Sequence, residues 1–180
     1  CADWSYRMKR TLALTAVLGL LAIPFAAEAQ DTEWNRYTLE DLGGVFIRLE
    51  SNDACNMAGA TPAAYEGDVS LKLTESEVGV LTQEQMLANP AMPELRVTLE
   101  CASGLDGAIA YSVGLRVQQS AQMLRDTQIT LPEAVTWFHT AVGMSSGASA
   151  VDSIGSSLMT SIDVFVEAWS AIHAEEEGDL

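Results

Sequence analysis

The sequence predicts an α+β fold: a two-layer sandwich with helices on one face of a mostly antiparallel sheet, in the order β-α-β-α-β-β-β-α. Three observations carry that expectation. In residues 149–174, Val151, Ile154, Leu158, Ile162, Phe165, Trp169 and Ile172 recur every three or four positions, which makes one apolar helical face. Residues 95–102 and 109–117 alternate apolar and polar side chains on either side of a glycine-containing turn, the pattern of a hairpin with one buried face. The closing helix, at ~1.5 Å per residue, spans roughly 40 Å. That is the reach of a strand of about twelve residues at ~3.3 Å each, so the helix can lie along the sheet.

The elements follow in order. Residues 30–42 are polar and without period, a lead-in whose candidate anchors are Trp34 and Tyr37. Residues 44–51 form a first strand, with Val45, Ile47 and Leu49 on one face and Phe46, Arg48 and Glu50 on the other. A loop carrying Cys55 leads to Thr61-Pro62, a capping residue followed by proline at the first helical position. Tyr65, Val69 and Leu73 share one helical stripe, giving a helix to about Ser76; residues 69–73 also alternate, so a strand there competes. Val78, Val80 and Leu81 suggest a short strand, and Thr82 with Gln85 forms a capping box opening a short helix that ends before Asn89-Pro90. After the hairpin, whose second strand can continue to Met123, residues 129–142 give a further strand interrupted at Pro132. Residues 143–149 then turn into the closing helix, capped by Ser149, and residues 175–180 form an acidic tail.

The first 29 residues are expected to lie outside the domain. Met8 precedes Lys9-Arg10, an apolar run over 11–25 and then Ala27-Glu28-Ala29: a basic start, a hydrophobic core and a small-x-small cleavage site. This is an export signal cut before Gln30, with residues 1–7 an upstream extension. A membrane anchor needs about 20 apolar residues, and this run is shorter and contains Pro24. The expected organisation is therefore a leader over 1–29, a lead-in over 30–42, one domain over 43–174 and the tail. Beyond the leader, six basic residues face 23 acidic ones, a net charge of −17. That repels phosphate backbones, so nucleic acid and anionic membrane are poor partners. The protein is expected in the periplasm or secreted, with no membrane span after cleavage. There, Cys55 and Cys101 read as one disulfide, the alternative being two separate buried thiols.

From Val78 onward, a series of short pieces falls in a particular order. They are Leu81-Thr82-Gln83-Glu84, Pro93-Glu94-Leu95, Tyr111-Ser112-Val113 with Gln118-Gln119, and Thr136-Trp137, followed by a glycine-containing turn and a long helix. In this the chain resembles a family of small exported bacterial α+β proteins of unassigned function. The element order also resembles, at the level of fold alone, the curli-secretion lipoprotein and the amino-terminal domain of TolB. The resemblance implies export and a compact α+β module, and it supplies no catalytic residues to carry over.

One motif points to chemistry. Gly143-Met144-Ser145-Ser146-Gly147 matches G-x-S-x-G between an expected strand and an expected helix, the setting of a nucleophile elbow, with Asp152 or Asp163 and then His173 following in hydrolase order. Against it, His173 lies roughly 36 Å along the closing helix from its start, and such hydrolases need a larger parallel sheet. The histidines, His139 and His173, have no ligand at metal-binding spacing, and no calcium loop or phosphate loop is present. No cofactor is expected. The favoured reading is a non-enzymatic exported module that interacts with an envelope or periplasmic protein; the alternative is a small serine hydrolase using Ser145. Adjacent Trp137 and Phe138 must point to opposite sheet faces. One of them joins Arg96 and Arg116 on the polar face as a partner contact, unless the lead-in folds across and buries it.

Overall fold

A computed structural model describes residues 32–176; the expected leader and the last four residues of the tail lie outside the described residues. The chain begins with a short helix, α1 (Glu33–Arg36), and a 3-10 turn, Tyr37–Leu39. Strand β1 (Phe46–Ser51) follows, then α2 (Asp53–Met57), α3 (Pro62–Glu75) and α4 (Gln83–Ala88). Three strands, β2 (Glu94–Ser103), β3 (Ala108–Gln122) and β4 (Thr130–Ser146), lead through a second 3-10 turn to α5 (Ala150–Glu176). The sheet order is β1-β2-β3-β4, with β1 parallel to β2 and the other pairs antiparallel. This is an α+β fold with a mixed four-stranded sheet.

The core follows from strand parity. Leu95, Val97, Leu99 and Cys101 of β2, and Ile109, Val113, Leu115 and Val117 of β3, point to one side and are buried. They meet Ile154, Leu158, Ile162, Phe165 and Trp169 of α5, and Tyr65, Val69 and Leu73 of α3. Helix α3 packs against β1 and α5 against β3 and β4, so both long helices occupy the same face. Trp137 enters this layer edge-on to Phe165, with ring centroids 5.3 Å apart.

The structure departs from the sequence expectations at definite places. The strand expected over 78–81 is a single bridge, Val45 to Val80. Backbones cross closely there: a Cβ on Gly79 would sit 2.6 Å from the Gly43 carbonyl oxygen, so only glycine fits. The Cys55 loop contains α2, and the competing strand over 69–73 is part of α3. β4 extends past Pro132, as an edge strand allows, and the expected interruption takes the form of a bulge: the register with β3 shifts between Gln119 and Ala121, leaving Pro132 and Glu133 out of the ladder. It also runs through Gly143, expected in a turn, because the Tyr111 ring lies over that glycine from the neighbouring strand. Ser149 does not cap α5; it sits in the preceding 3-10 turn, its hydroxyl hydrogen-bonded to that of Ser146 at 2.8 Å. Val151 falls at the margin of the helical stripe and is exposed, while Ala150 and Ala168 are buried. The lead-in is held by buried Leu39 and Leu42, whereas Trp34 is 82% exposed.

The Cys55–Cys101 disulfide is formed, with Cα atoms 5.0 Å apart. Asn52 sets it up. Its Oδ1 accepts from the Cys55 amide at 3.0 Å, capping α2, and from the Cys101 amide at 3.2 Å, while its Nδ2 donates to the Cys101 carbonyl at 3.0 Å. One side chain thus fixes both ends of the crosslink, tying α2 to β2 across a separation of 46 residues. Loss of that closure, by Cys55→Ala with Cys101→Ala, is expected to lower unfolding stability by about 4 kcal/mol. Denaturant titration measures it; an unchanged midpoint would remove the crosslink from the stability account.

Tyr65 ties α3 to α5. Its hydroxyl donates to the Val151 carbonyl at 2.9 Å, and its ring lies against Gly155. Burial, with a smaller contribution from Asp152, raises the hydroxyl above the ordinary tyrosine pKa. A raised acid pKa means the folded state favours the protonated form. Its contribution is therefore complete below the unfolded value of about 10 and is lost as pH rises through the folded one. Tyr65→Phe is expected to cost roughly 1 kcal/mol at neutral pH, and the gap to the parent should shrink in alkali. A gap constant with pH would show that the hydroxyl adds nothing.

Candidate functional site

One sheet face carries the helices; among the described residues, no helix packs on the other, the bare face. Parity puts Phe46, Arg48 and Glu50 of β1 on the bare face, with Glu94, Arg96, Thr98 and Glu100 of β2. Ser112 and Arg116 of β3 join them, with Phe138, Thr140, Val142 and Met144 of β4. The register then aligns Arg48 with Arg96, Arg96 with Arg116, and Arg116 with Phe138. Three guanidiniums and an aromatic ring form one row across all four strands.

Like charges facing each other on neighbouring strands cost stability. Glu94 relieves half of this row. It is 7% exposed and lies between two arginines, with Oε2 at 3.0 Å from Arg48 Nε and Oε1 at 2.8 Å from Arg96 Nε. Its hydrogen bond, and then its charge, raise the Arg48 pKa further, so that guanidinium stays protonated. Arg48 also sits over the Phe46 ring at 5.7 Å. Arg116 is placed differently. It is exposed, its contact on this face is a long hydrogen bond of 3.5 Å to Thr98 Oγ1, and Phe138 is its neighbour on β4. The row therefore ends in an available cation beside a half-buried aromatic. Past it, Glu100, Ala102, Ala110, Ser112, Val142 and Met144 line a shallow trough of about 760 Å³.

The sequence-expected partner residues come together here. Arg96, Arg116 and Phe138 share the row, while Trp137 is fully buried beneath α5. The lead-in does not cover Phe138; its Thr38 carbonyl accepts from Gln119 and its Leu39 joins the helix-side core. Sequence reading missed Glu94 as the linker and Arg48 as the start of the row. Alternation marked Arg48 as outward, but only the parallel register of β1 on β2 aligns it with Arg96.

The alternative reading, a nucleophile at Ser145, finds no elbow to sit on. Ser145 lies inside β4 and not in a strand-to-helix turn; it faces the helix layer, with its hydroxyl buried. His173 stacks on Trp169 at 4.5 Å and its Nδ1 is 2.8 Å from the Trp169 carbonyl oxygen, near the far end of α5. No group of three or more histidine, cysteine or carboxylate residues among the described residues could hold a metal ion. No described helix is long and apolar enough to cross a membrane. No family model, curated protein or solved structure matches the chain.

The two adjacent aromatics should respond differently to truncation. Trp137→Ala is expected to cost about 3–5 kcal/mol by leaving a cavity under α5, and Phe138→Ala about 1 kcal/mol. Thermal melts of the two variants decide it. Equal large losses would make Phe138 a core residue and leave the row without its aromatic end.

Proposed function

We propose that this is a non-enzymatic, exported interaction module that binds an envelope or periplasmic protein through the bare sheet face. The observation that carries the reading is the row Arg48–Arg96–Arg116–Phe138, in a chain of net charge −16. A like-charged row works against the stability of the sheet, and its free end, Arg116, offers a bidentate donor for a partner carboxylate. Phe138 beside it supplies an apolar anchor, and the trough past it takes an apolar side chain from the partner. The disulfide and the signal-like leader support an oxidising location outside the cytoplasm.

A photo-crosslinking residue in place of Ser112, on the floor of the trough, tests this in cells. The expected result is an adduct with a protein other than a second copy of the chain, lost on Arg116→Glu while the melting temperature is retained. Adducts indifferent to Arg116→Glu, or none at all, would overturn the reading. Fluorophosphonate labelling that disappears with Ser145→Ala would instead make the protein a serine hydrolase.

A further inference from the structure

The open edge of the sheet carries an inference that goes beyond the proposed function and does not rest on it. β4 is the outer strand on one side, 17 residues long. Gly147 donates to the Gly107 carbonyl at 3.0 Å, which fixes the phase of the ladder. The facing pairs Ile109–Ser145, Tyr111–Gly143 and Val113–Ala141 exchange the hydrogen bonds with β3. Phe138, Thr140, Val142 and Met144 must then turn their N–H and C=O groups away from β3, toward the open edge. The stretch is bounded at both ends. Asn35 Nδ2 donates to the Thr136 carbonyl at 2.7 Å, and the Ser146 carbonyl accepts from Ser149 Oγ at 3.4 Å. Among the described residues, four outward-facing positions are left between these bounds, and they are symmetric about Ala141.

Edge strands in monomers are blunted by lysine, proline, bulges or cover, because an open edge is a template for another strand. Residues 134–146 carry none of the first two: they contain no Asp, Glu, Lys, Arg or Pro, in a chain of net charge −16. For two copies of so acidic a chain, a neutral edge is where approach costs least.

We propose that the protein forms a two-fold homodimer by antiparallel pairing of β4 with β4 of a second copy, centred on Ala141, giving a continuous eight-stranded sheet. In this register Phe138 faces Met144 of the copy and Thr140 faces Val142. The outer face thus gains an apolar stripe from side chains now largely in solvent, with Val142 80% and Met144 74% exposed. The paired segment alone, seven residues, is about 23 Å long and falls short of the roughly 1,200 Å² that a stable interface buries. The helix layer supplies the rest. α5 packs over both β3 and β4. With strands about 4.8 Å apart, two such helices related by the two-fold lie about 10 Å from each other. That is the separation of directly packed helices. The flank of α5 toward the edge is built for it: Ser153, Ser157, Thr160 and Val164 fall at coiled-coil-like spacing and are all small. The first three line a groove of about 550 Å³ with His139 and Ala141 of β4 and with Asp152 at the start of the helix, and the second helix fills it.

Sedimentation of the purified protein at tens of micromolar, with and without edge variants, tests the proposal. The expected mass is twice that of one chain. Thr140→Pro removes an outward N–H that has no role in the β3 ladder, and Val142→Lys puts a charge into the pairing face. Both should sediment as monomers with thermal melts close to the parent. Ala141→Cys places two thiols opposite each other at a non-hydrogen-bonded position and should give an interchain disulfide on non-reducing gels. A parent that is monomeric throughout overturns the proposal. So does a dimer that persists in both edge variants without the Ala141→Cys crosslink.

Discussion

The arrangement depends on one contact: the apolar stripe of α5 lying on the odd-numbered side chains of β3 and β4, where Phe165 meets Trp137. There is one helix layer, so one sheet face is buried and parity assigns every strand residue to a side. A slip of one position along β4 would exchange Trp137 for Phe138 in the core. In β3 it would drive Arg116 inward, where an unpaired guanidinium is strongly disfavoured. The register shift at Val117–Gln118 is part of the same constraint. It takes up Thr136 as the extra residue, so that Val135 returns to the outer face opposite Gln118. The arginine row is thus a consequence of how the other face is buried.

Much of this was legible because periodicity and burial coincide. In α5, six of the seven residues read as one face are buried, and the β2–β3 alternation fell on the correct sides. The capping box at Thr82 and Gln85 forms as its spacing implies. The failures share a cause: a local signal overridden from a distant part of the chain. Gly143 reads as a turn, but Tyr111 covers it across the strand pair and the strand continues. The lead-in has no period, because two isolated leucines hold it and its helical turns are too short to show one. At the candidate site, side and residue type were readable for Arg96 and Arg116. Alignment with Arg48, and the bridging by Glu94, depend on a parallel pairing between strands some forty residues apart, which no local pattern encodes.

The two sheet edges are treated in opposite ways. Beside β1, Gly43, Gly44 and Gly79 let the chain close in; Val45 bonds to Gly79 and Leu81, and that edge is partly covered. Beside β4, among the described residues, Asn35 covers the Thr136 carbonyl, and the outward groups from Phe138 to Met144 meet no backbone partner. The chain's charges follow a similar division: Arg48 and Glu50 lie on β1 and Glu94, Arg96 and Glu100 on β2, whereas residues 134–146 of β4 carry no Asp, Glu, Lys or Arg.

Row and edge meet at Phe138, and this fixes how two copies would combine them. The row runs perpendicular to the strands and ends at the residue where the open edge begins. Pairing about Ala141 sets Phe138 against Met144 of the second copy, six residues away from that copy's own Phe138. The two arginine rows are then staggered by about 20 Å along the strands. Between them lies the joined apolar stripe of Phe138, Val142 and Met144 from each chain. Such a face has two cationic ends around an apolar centre, and a two-fold partner, or a partner with two carboxylate-bearing segments, engages both rows at once. The second contact then forms at the effective concentration set by the first, which allows a weak single row to hold a partner firmly.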